Sequence, residues 1–305
     1  MTVAILGYGQ LGRALALALT AEGDHAVRVW TRGPTAGSAR ARGARFFAAG
    51  ELAPAVRDAD LVWLAVSDRA LEDLVERLAA LEVAWQGKAV LHSSGAASAE
   101  VLRPLAERGA ETAACHPLRA LASAEDGRPL RAGAAGGRLF EGAPFTLEGS
   151  PAALETAERL IDGLGGLPLA SCVVDRALYH LAAAVASNYG ALLRDWSARR
   201  FESAGLSAAD AARAADALLT NAVANARASA DRLPLTGPIR RGDLPTVRAH
   251  LSRLSGAERL AYAGLGLLLL ETAAESGSSV EMAELLRRAA DEALAPASAD
   301  GTGAR

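Results

Sequence analysis

Lysine is almost missing from this 305-residue chain: Lys88 is the only one, and every other basic residue is arginine. That removes amine chemistry from nearly the whole molecule. Cysteine is scarce as well, with Cys115 and Cys172 far apart and free of CxxC or Cys/His ligand spacing, so neither a disulfide framework nor a structural zinc is indicated and a reducing cytoplasm fits. Charge of one sign is absent too. The 32 basic and 35 acidic residues leave a net of -3 with no run of like charge, which argues against nucleic acid or an anionic membrane as the main partner. The longest apolar stretch, Ala261 to Leu270, is too short to span a bilayer, and the N-terminus lacks the basic region and cleavage site of a signal peptide. What remains is a chain that is 51% hydrophobic, long enough for two domains, and suited to a small-molecule partner.

Two halves differ in pattern. From Thr2 to about Ala170, short apolar runs alternate with helical segments, the signature of a mostly parallel sheet covered by helices. Strands are expected at 3–6, 26–30, 61–66, 89–92, 112–115 and 144–147, with helices such as 11–21 and 69–78, the latter apolar at 71, 74, 75 and 78. After Ser171 alanine-rich helical patterns take over, at 175–203, 208–231, 244–254, 257–276 and 280–294, and Ser207 with Asp210 reads as a helix-opening capping box. The expectation is an α/β dinucleotide-binding domain over 1–170, an all-α domain over 171–294 and a disordered tail over 295–305. Leu265 and Leu267 to Leu270 spread apolar surface over more than one stripe of their helix, which predicts a homodimer through the helical domain.

The first chemical motif is Gly7-Tyr8-Gly9-Gln10-Leu11-Gly12, directly after one expected strand and directly before an apolar helix. The first glycine permits the tight turn, the second lets the backbone approach a pyrophosphate, and the third lets helix and strand pack closely; the helix N-terminus offers free N–H groups to the anion. The second strand ends Val29-Trp30-Thr31-Arg32 without the acid that grips a ribose 2′-hydroxyl. Arg32 can instead face a 2′-phosphate, with hydroxyls from Thr31, Thr35 and Ser38, so NADP(H) is the expected cofactor.

Ligands of open parallel sheets sit outside the carboxyl ends of the strands. Val66-Ser67-Asp68 and His92-Ser93-Ser94-Gly95 follow strands there, and their side chains and free amides can line the cofactor; alternatively Ser67 and Asp68 cap the next helix. His116 follows another strand and either faces the same cleft or is structural. Lys88 stands at the opposite end of its strand and is a poor catalytic candidate. In the helical half, His180, Ala184, Ser187 and Asn188 are spaced i, i+4, i+7 and i+8 and share one stripe, lining a cavity or a buried network. The segment Thr236 to Asp243 combines glycines, a proline, Arg240 and Arg241, and can deliver a guanidinium to a carboxylate. The alternative is that Asp243 caps the next helix, the arginines are solvated, and Thr246 and His250 support the loop.

GYGQLG at 7, VWTR at 29, HSSG at 92, HPL at 116, ALYHLAAAVASNY at 177 and TGPIRRGDLPTVRAHL at 236 together resemble the Rossmann-like oxidoreductases that carry the C-terminal domain of unknown function 2520, distant relatives of the 6-phosphogluconate dehydrogenase superfamily. Some members are similar in role to ketopantoate reductases. HPLRAL at 116 and LFEGAPFTL at 139 are similar to prephenate dehydrogenases, although HSSG stands where those enzymes have a GSVK-like turn. The resemblance implies an NADP-dependent oxidoreductase acting on a carbonyl or imine of a small acid, without the helical-domain lysine of related dehydrogenases. In that reading His180 or His116 supplies the proton, Asn188 binds the substrate oxygen and Arg241 holds a carboxylate. The rival reading is a regulatory or scaffold protein that binds NADP without turnover.

Overall fold

The computed structural model describes residues 1–33, 40–121, 138–169, 175–229, 236–272 and 280–295. Thr35, Ser38, Cys172 and the tail expected over 295–305, apart from Ala295, lie outside them.

The chain forms two compact units, Met1–Leu192 and Leu193–Arg305. The first is built on one eight-stranded sheet of order β3-β2-β1-β4-β5-β6-β7-β8. Strands β1 (Thr2–Leu6), β2 (Ala26–Trp30), β3 (Arg45–Phe47), β4 (Leu61–Leu64), β5 (Ala89–His92) and β6 (Glu111–Pro117) are parallel. All four residues of β4 and of β5 are buried, as continuous apolar runs in the middle of a sheet covered on both faces must be. The order reverses between β1 and β4, and such a switch point opens a crevice at the carboxyl ends of the strands.

One face of the sheet packs on α1 (Gln10–Glu22) and α5 (Pro151–Gly163), whose Leu15, Leu19, Leu160 and Ile161 join Ile5, Trp63 and Phe145 in one core. The other face packs on α2 (Leu52–Val56), α3 (Leu71–Ala79) and α4 (Arg103–Ala106). Helix α3 buries Leu71, Leu74, Val75 and Leu78, the four positions its spacing picks out; each such side chain contributes roughly 1.5 to 3 kcal/mol of burial.

Three features of this unit differ from the sequence expectation. Strands β3 and β8 (Leu167–Leu169) are only three residues long, below the length at which alternation gives a signal. Strand β7 (Pro144–Gly149) runs antiparallel to β6, a direction that strand patterning does not encode. The third concerns where the unit ends. Strands give way to helices after β8, near the expected boundary at 170/171, yet α6 (Arg176–Ala184) and the turn after it, Val185–Tyr189, belong to the first compact unit.

That turn is π-helical, a widened turn set into an otherwise continuous run from α6 to α7 (Gly190–Ser203). The second unit comprises most of α7 with α8 (Ala208–Ala228), α9 (Leu244–Leu251), α10 (Gly256–Thr272) and α11 (Val280–Leu294). Ser207 accepts from the Asp210 amide at 3.2 Å and donates to its carboxylate, so it caps α8, while the carboxylate meets the Ser207 hydroxyl and not its amide. The core of this unit is Val247, Leu251, Ala263, Leu270, Met282 and Leu286. Gly266 lets α10 approach α11, because a Cβ there would lie 3.0 Å from Leu286. No helix among the described residues is long and apolar enough to cross a membrane.

Candidate functional site

The three glycines of the first motif divide their roles as the spacing predicts. Gly7 has φ 108°, and a Cβ there would sit 2.4 Å from the Ala65 carbonyl oxygen; at Gly12 it would sit 2.0 Å from the Gly7 carbonyl oxygen. At Gly9 a Cβ would meet nothing within 4 Å, so the backbone lies open to an incoming group. Gly9 is also the N-cap of α1, with no side-chain cap and no acidic residue in the first turn, which leaves the helix N–H groups and the positive end of its dipole to an anion. These residues fit a dinucleotide pyrophosphate. Tyr8 and Leu11 serve the scaffold: the Tyr8 hydroxyl accepts from the Ala41 amide at 2.8 Å and its ring stands edge-on to Phe46, while Leu11 packs against the core.

At the carboxyl end of β2, Thr31, Arg32, Arg40 and Phe46 line a cavity of about 420 Å³. Arg40 was not singled out from the sequence. It lies over the Phe46 ring at 4.8 Å, and stacking of this kind orients a guanidinium without consuming its donors. Arg32 is exposed, and the Thr31 hydroxyl donates to the Gly33 carbonyl. Glu51, on the same wall, is engaged locally by the Ala48 amide at 2.8 Å.

After β4, Val66 walls the Gly7 turn, and Ser67 and Asp68 stand exposed with no side-chain cap to the next turn, so the capping alternative is not made. The turn after β5 departs from expectation. Ser93 and Ser94 do not offer free amides, because these donate to the Leu64 carbonyl and to His92 Nδ1. Their hydroxyls accept from Trp63 Nε1 and from the Ala96 and Ala97 amides. The turn thus satisfies its own amides with its short polar side chains. His92 is fully buried; its Nε2 meets the Ser98 carbonyl, and burial holds its pKa down to about 4, so it is a neutral brace.

Beside these strand ends, a cavity of about 920 Å³ is lined by Gln10, His116, Arg119, Tyr179, His180, Ser187 and Asn188. The structure therefore brings together His116, His180 and Asn188, and adds Arg119, Tyr179 and the first residue of α1. His116 and His180 both approach Gly95, where a Cβ would come within 3.0 Å of the first ring and 3.2 Å of the second. Burial, with His180 and Arg176 nearby, pushes the His116 pKa below its usual value. Ser187 and Asn188 sit on the π-helical turn, where the Ser187 hydroxyl donates to the Ala183 carbonyl at 2.8 Å and has Asn188 Oδ1 3.3 Å away. That contact leaves the Asn188 amide group as a donor. The Arg119 guanidinium has one long bond, 3.4 Å to the Glu141 carbonyl; its sequence signal was its place three residues after His116.

Arg241 belongs to the second unit and is exposed in the turn before α9. Asp243 caps α9 through Thr246, at 3.2 Å to its amide and 2.7 Å to its hydroxyl, and His250 bonds the Tyr262 hydroxyl. Thr246 and His250 are thus structural. Lys88 Nζ donates to the Arg57 and Ala59 carbonyls, which accounts for the chain's only lysine. Cys115 is fully buried among apolar residues, which pushes its thiol pKa up, and no group of metal-ligating side chains occurs among the described residues.

Comparison with known proteins agrees with this architecture. The search of curated proteins found no match. Among solved structures, protein TM1727 from Thermotoga maritima is 22% identical, covering 95% of this chain and 98% of that one, with a TM-score of 0.54. A putative NADP oxidoreductase, BF3122 from Bacteroides fragilis, is 20% identical with a TM-score of 0.65, covering 89% and 96%. An imine reductase from Pseudomonas sp. is 18% identical with a TM-score of 0.57, covering 94% and 92%. At these identities the likeness shows the fold. Residues 1–117 match the model of the Rossmann-like domain, and residues 143–268 match that of the domain of unknown function DUF2520. The chain thus carries a Rossmann-like domain followed by a DUF2520 domain.

Proposed function

We propose that this protein is an NADP-dependent oxidoreductase that reduces a carbonyl or imine of a small carboxylic acid. One observation carries the reading: Gln10, inside the glycine-rich turn, lines the same cavity as His116, His180 and Asn188, so the dinucleotide cradle and the titratable side chains share a cleft. The turn Gly7 to Gly12 would hold the pyrophosphate, Arg32 and Arg40 the 2′-phosphate, and Ser67 and Asp68 would stand at the crevice between them and the cavity. When bound, the nicotinamide supplies the hydride. A histidine of the cavity gives the proton, Asn188 donates to the substrate oxygen, and Arg119 receives the carboxylate. The solved relatives described as an NADP oxidoreductase and an imine reductase support the reaction class. An anaerobic screen of NADPH oxidation against 2-keto acids and cyclic imines, ketopantoate included, tests it. Tight NADPH binding without turnover on any of them would favour a cofactor-binding regulator.

Cofactor choice follows from the arginines. A charge-assisted hydrogen bond contributes about 1.5 to 3 kcal/mol, so Arg32→Ala is expected to weaken NADPH binding by about ten- to a hundredfold and to leave NADH nearly unchanged. Fluorescence titration of wild type and variant with both cofactors measures this. Equal affinity of the wild type for NADH and NADPH would reject the assignment.

The functional form is a homodimer. Leu178, Leu181, Val185, Tyr189 and Leu192 form a stripe along α6, the π-helical turn and α7 whose members are 48 to 61% exposed, and Leu265 and Leu268 are exposed on α10 while Leu270 is buried. Contiguous apolar surface of this kind is unusual on a monomer, and two-fold pairing is the commonest way to cover it. Light scattering at micromolar concentration should give twice the chain mass of 31.2 kDa; a mass near 31.2 kDa would reject the dimer.

A further inference from the structure

Two imidazoles reach the cavity, and a hydrogen-bonded chain beside it distinguishes them. Strands β6 and β7 pair antiparallel with His116 directly opposite Thr146, so the two side chains rise on one face of the sheet. Tyr179, from α6, completes the set: its hydroxyl oxygen lies 2.7 Å from His116 Nδ1 and 2.8 Å from Thr146 Oγ1. Thr146 is 5% exposed, so its hydroxyl has little recourse to water and is satisfied by Tyr179. The ring of Tyr179 stands edge-on to His116 with centroids 5.5 Å apart, and Arg176, ion-paired to Glu148, lies over it at 5.9 Å. Tyr179 is therefore held by a strand pair and an arginine.

The direction of the chain follows from the groups. A deprotonated imidazole nitrogen accepts better than a phenol oxygen, and a phenol O–H donates better than an imidazole N–H. Thr146 accordingly donates to Tyr179 and Tyr179 donates to His116 Nδ1, which puts the ring proton on Nε2. That nitrogen stands over Gly95, where a Cβ would come within 3.0 Å of it, on a ring that lines the cavity. His180 has no comparable partner: it is exposed, and no hydrogen bond fixes its tautomer among the described residues.

We propose that Tyr179, backed by Thr146, is a positioning residue that holds His116 in the Nε2–H tautomer and makes His116 Nε2, not His180, the proton donor to the substrate. The assignment rests on the reductase reading. As the accepting carbon gains its new C–H bond and the C=O or C=N π bond opens, the substrate oxygen or nitrogen takes the Nε2 proton. Nδ1 then takes the phenol proton and Thr146 holds the phenolate; water in the cavity returns a proton to Nε2, and Nδ1 gives its proton back to the phenolate, which restores the Nε2–H tautomer.

Long-range 15N–1H spectra of the histidine rings in the full-length protein test the tautomer without any substrate, with His116→Gln identifying the signal. Wild type should show His116 as Nε2–H, and Tyr179→Phe, which keeps the ring, should move it to a mixture of tautomers; Thr146→Val should move it partway. With a substrate, Tyr179→Phe should lower kcat about tenfold or more while the KM for NADPH stays put. An Nδ1–H tautomer in wild type, or one unaltered by Tyr179→Phe, would overturn the assignment. The reductase reading fails separately, on absence of turnover by wild type.

Discussion

Gly12→Ala is expected to abolish NADPH binding and to lower Tm by several degrees, whereas Gly9→Ala should leave Tm almost unchanged and still weaken NADPH binding tenfold or more. The contrast arises because the two glycines are required for different reasons. A Cβ on residue 12 would sit 2.0 Å from the Gly7 carbonyl oxygen, closer than atoms approach, and the atom in its way is backbone. The strand-to-helix turn must then open, at a cost on the order of 1 to 3 kcal/mol or more, and the N–H groups facing the phosphates move with it. Around Gly9 there is nothing within 4 Å, so the added methyl costs the fold little. It does occupy the space through which a pyrophosphate would approach the backbone. Thermal melts with cofactor titration separate the two effects. Wild-type NADPH affinity in Gly12→Ala would mean that the turn is not a phosphate cradle.

His116→Ala should lower turnover by about 10² or more with NADPH affinity preserved, the usual scale for losing an acid/base group. Asn188→Ala should cost a similar factor through the lost oxygen partner, His180→Ala clearly less than His116→Ala, and Arg119→Ala should chiefly raise KM for the acid substrate. Lys88→Ala should leave turnover intact and reduce stability, since Nζ bonds two backbone carbonyls at the far end of its strand. Steady-state kinetics on the substrate found in the screen decide. A folded but inactive Lys88→Ala, or a His116→Ala at wild-type rate, would place the chemistry elsewhere.

Much of the cofactor side was legible locally. The glycine spacing, the strand before it and the apolar helix after it are neighbours in sequence, and so are the missing acid and Arg32 at the end of β2. Arg40 was less so. Its role comes from lying over Phe46, and neither residue carries a motif of its own. For Ser93 and Ser94 the composition misled, because the short polar side chains that suit a ligand also suit a turn that must satisfy its own amides.

On the catalytic side, helical spacing put His180, Ser187 and Asn188 on one stripe, and the cavity does contain them. The stripe assumed a uniform 3.6-residue period, however, and the π-helical turn from Val185 to Tyr189 is invisible to it. Tyr179 sits one residue from a histidine that was singled out and carried no signal.

The sequence by itself determined the α/β and helical halves and the glycine turn between the first strand and helix, because composition, period and turn chemistry act between near neighbours. Only the tertiary structure decided which histidine has a partner. His116, Thr146 and Tyr179 are 30 to 63 residues apart along the chain, and they meet because β7 turns antiparallel to β6 and α6 lays Tyr179 across the pair. Strand direction and helix placement are set by the global burial of apolar faces, which no local spacing records.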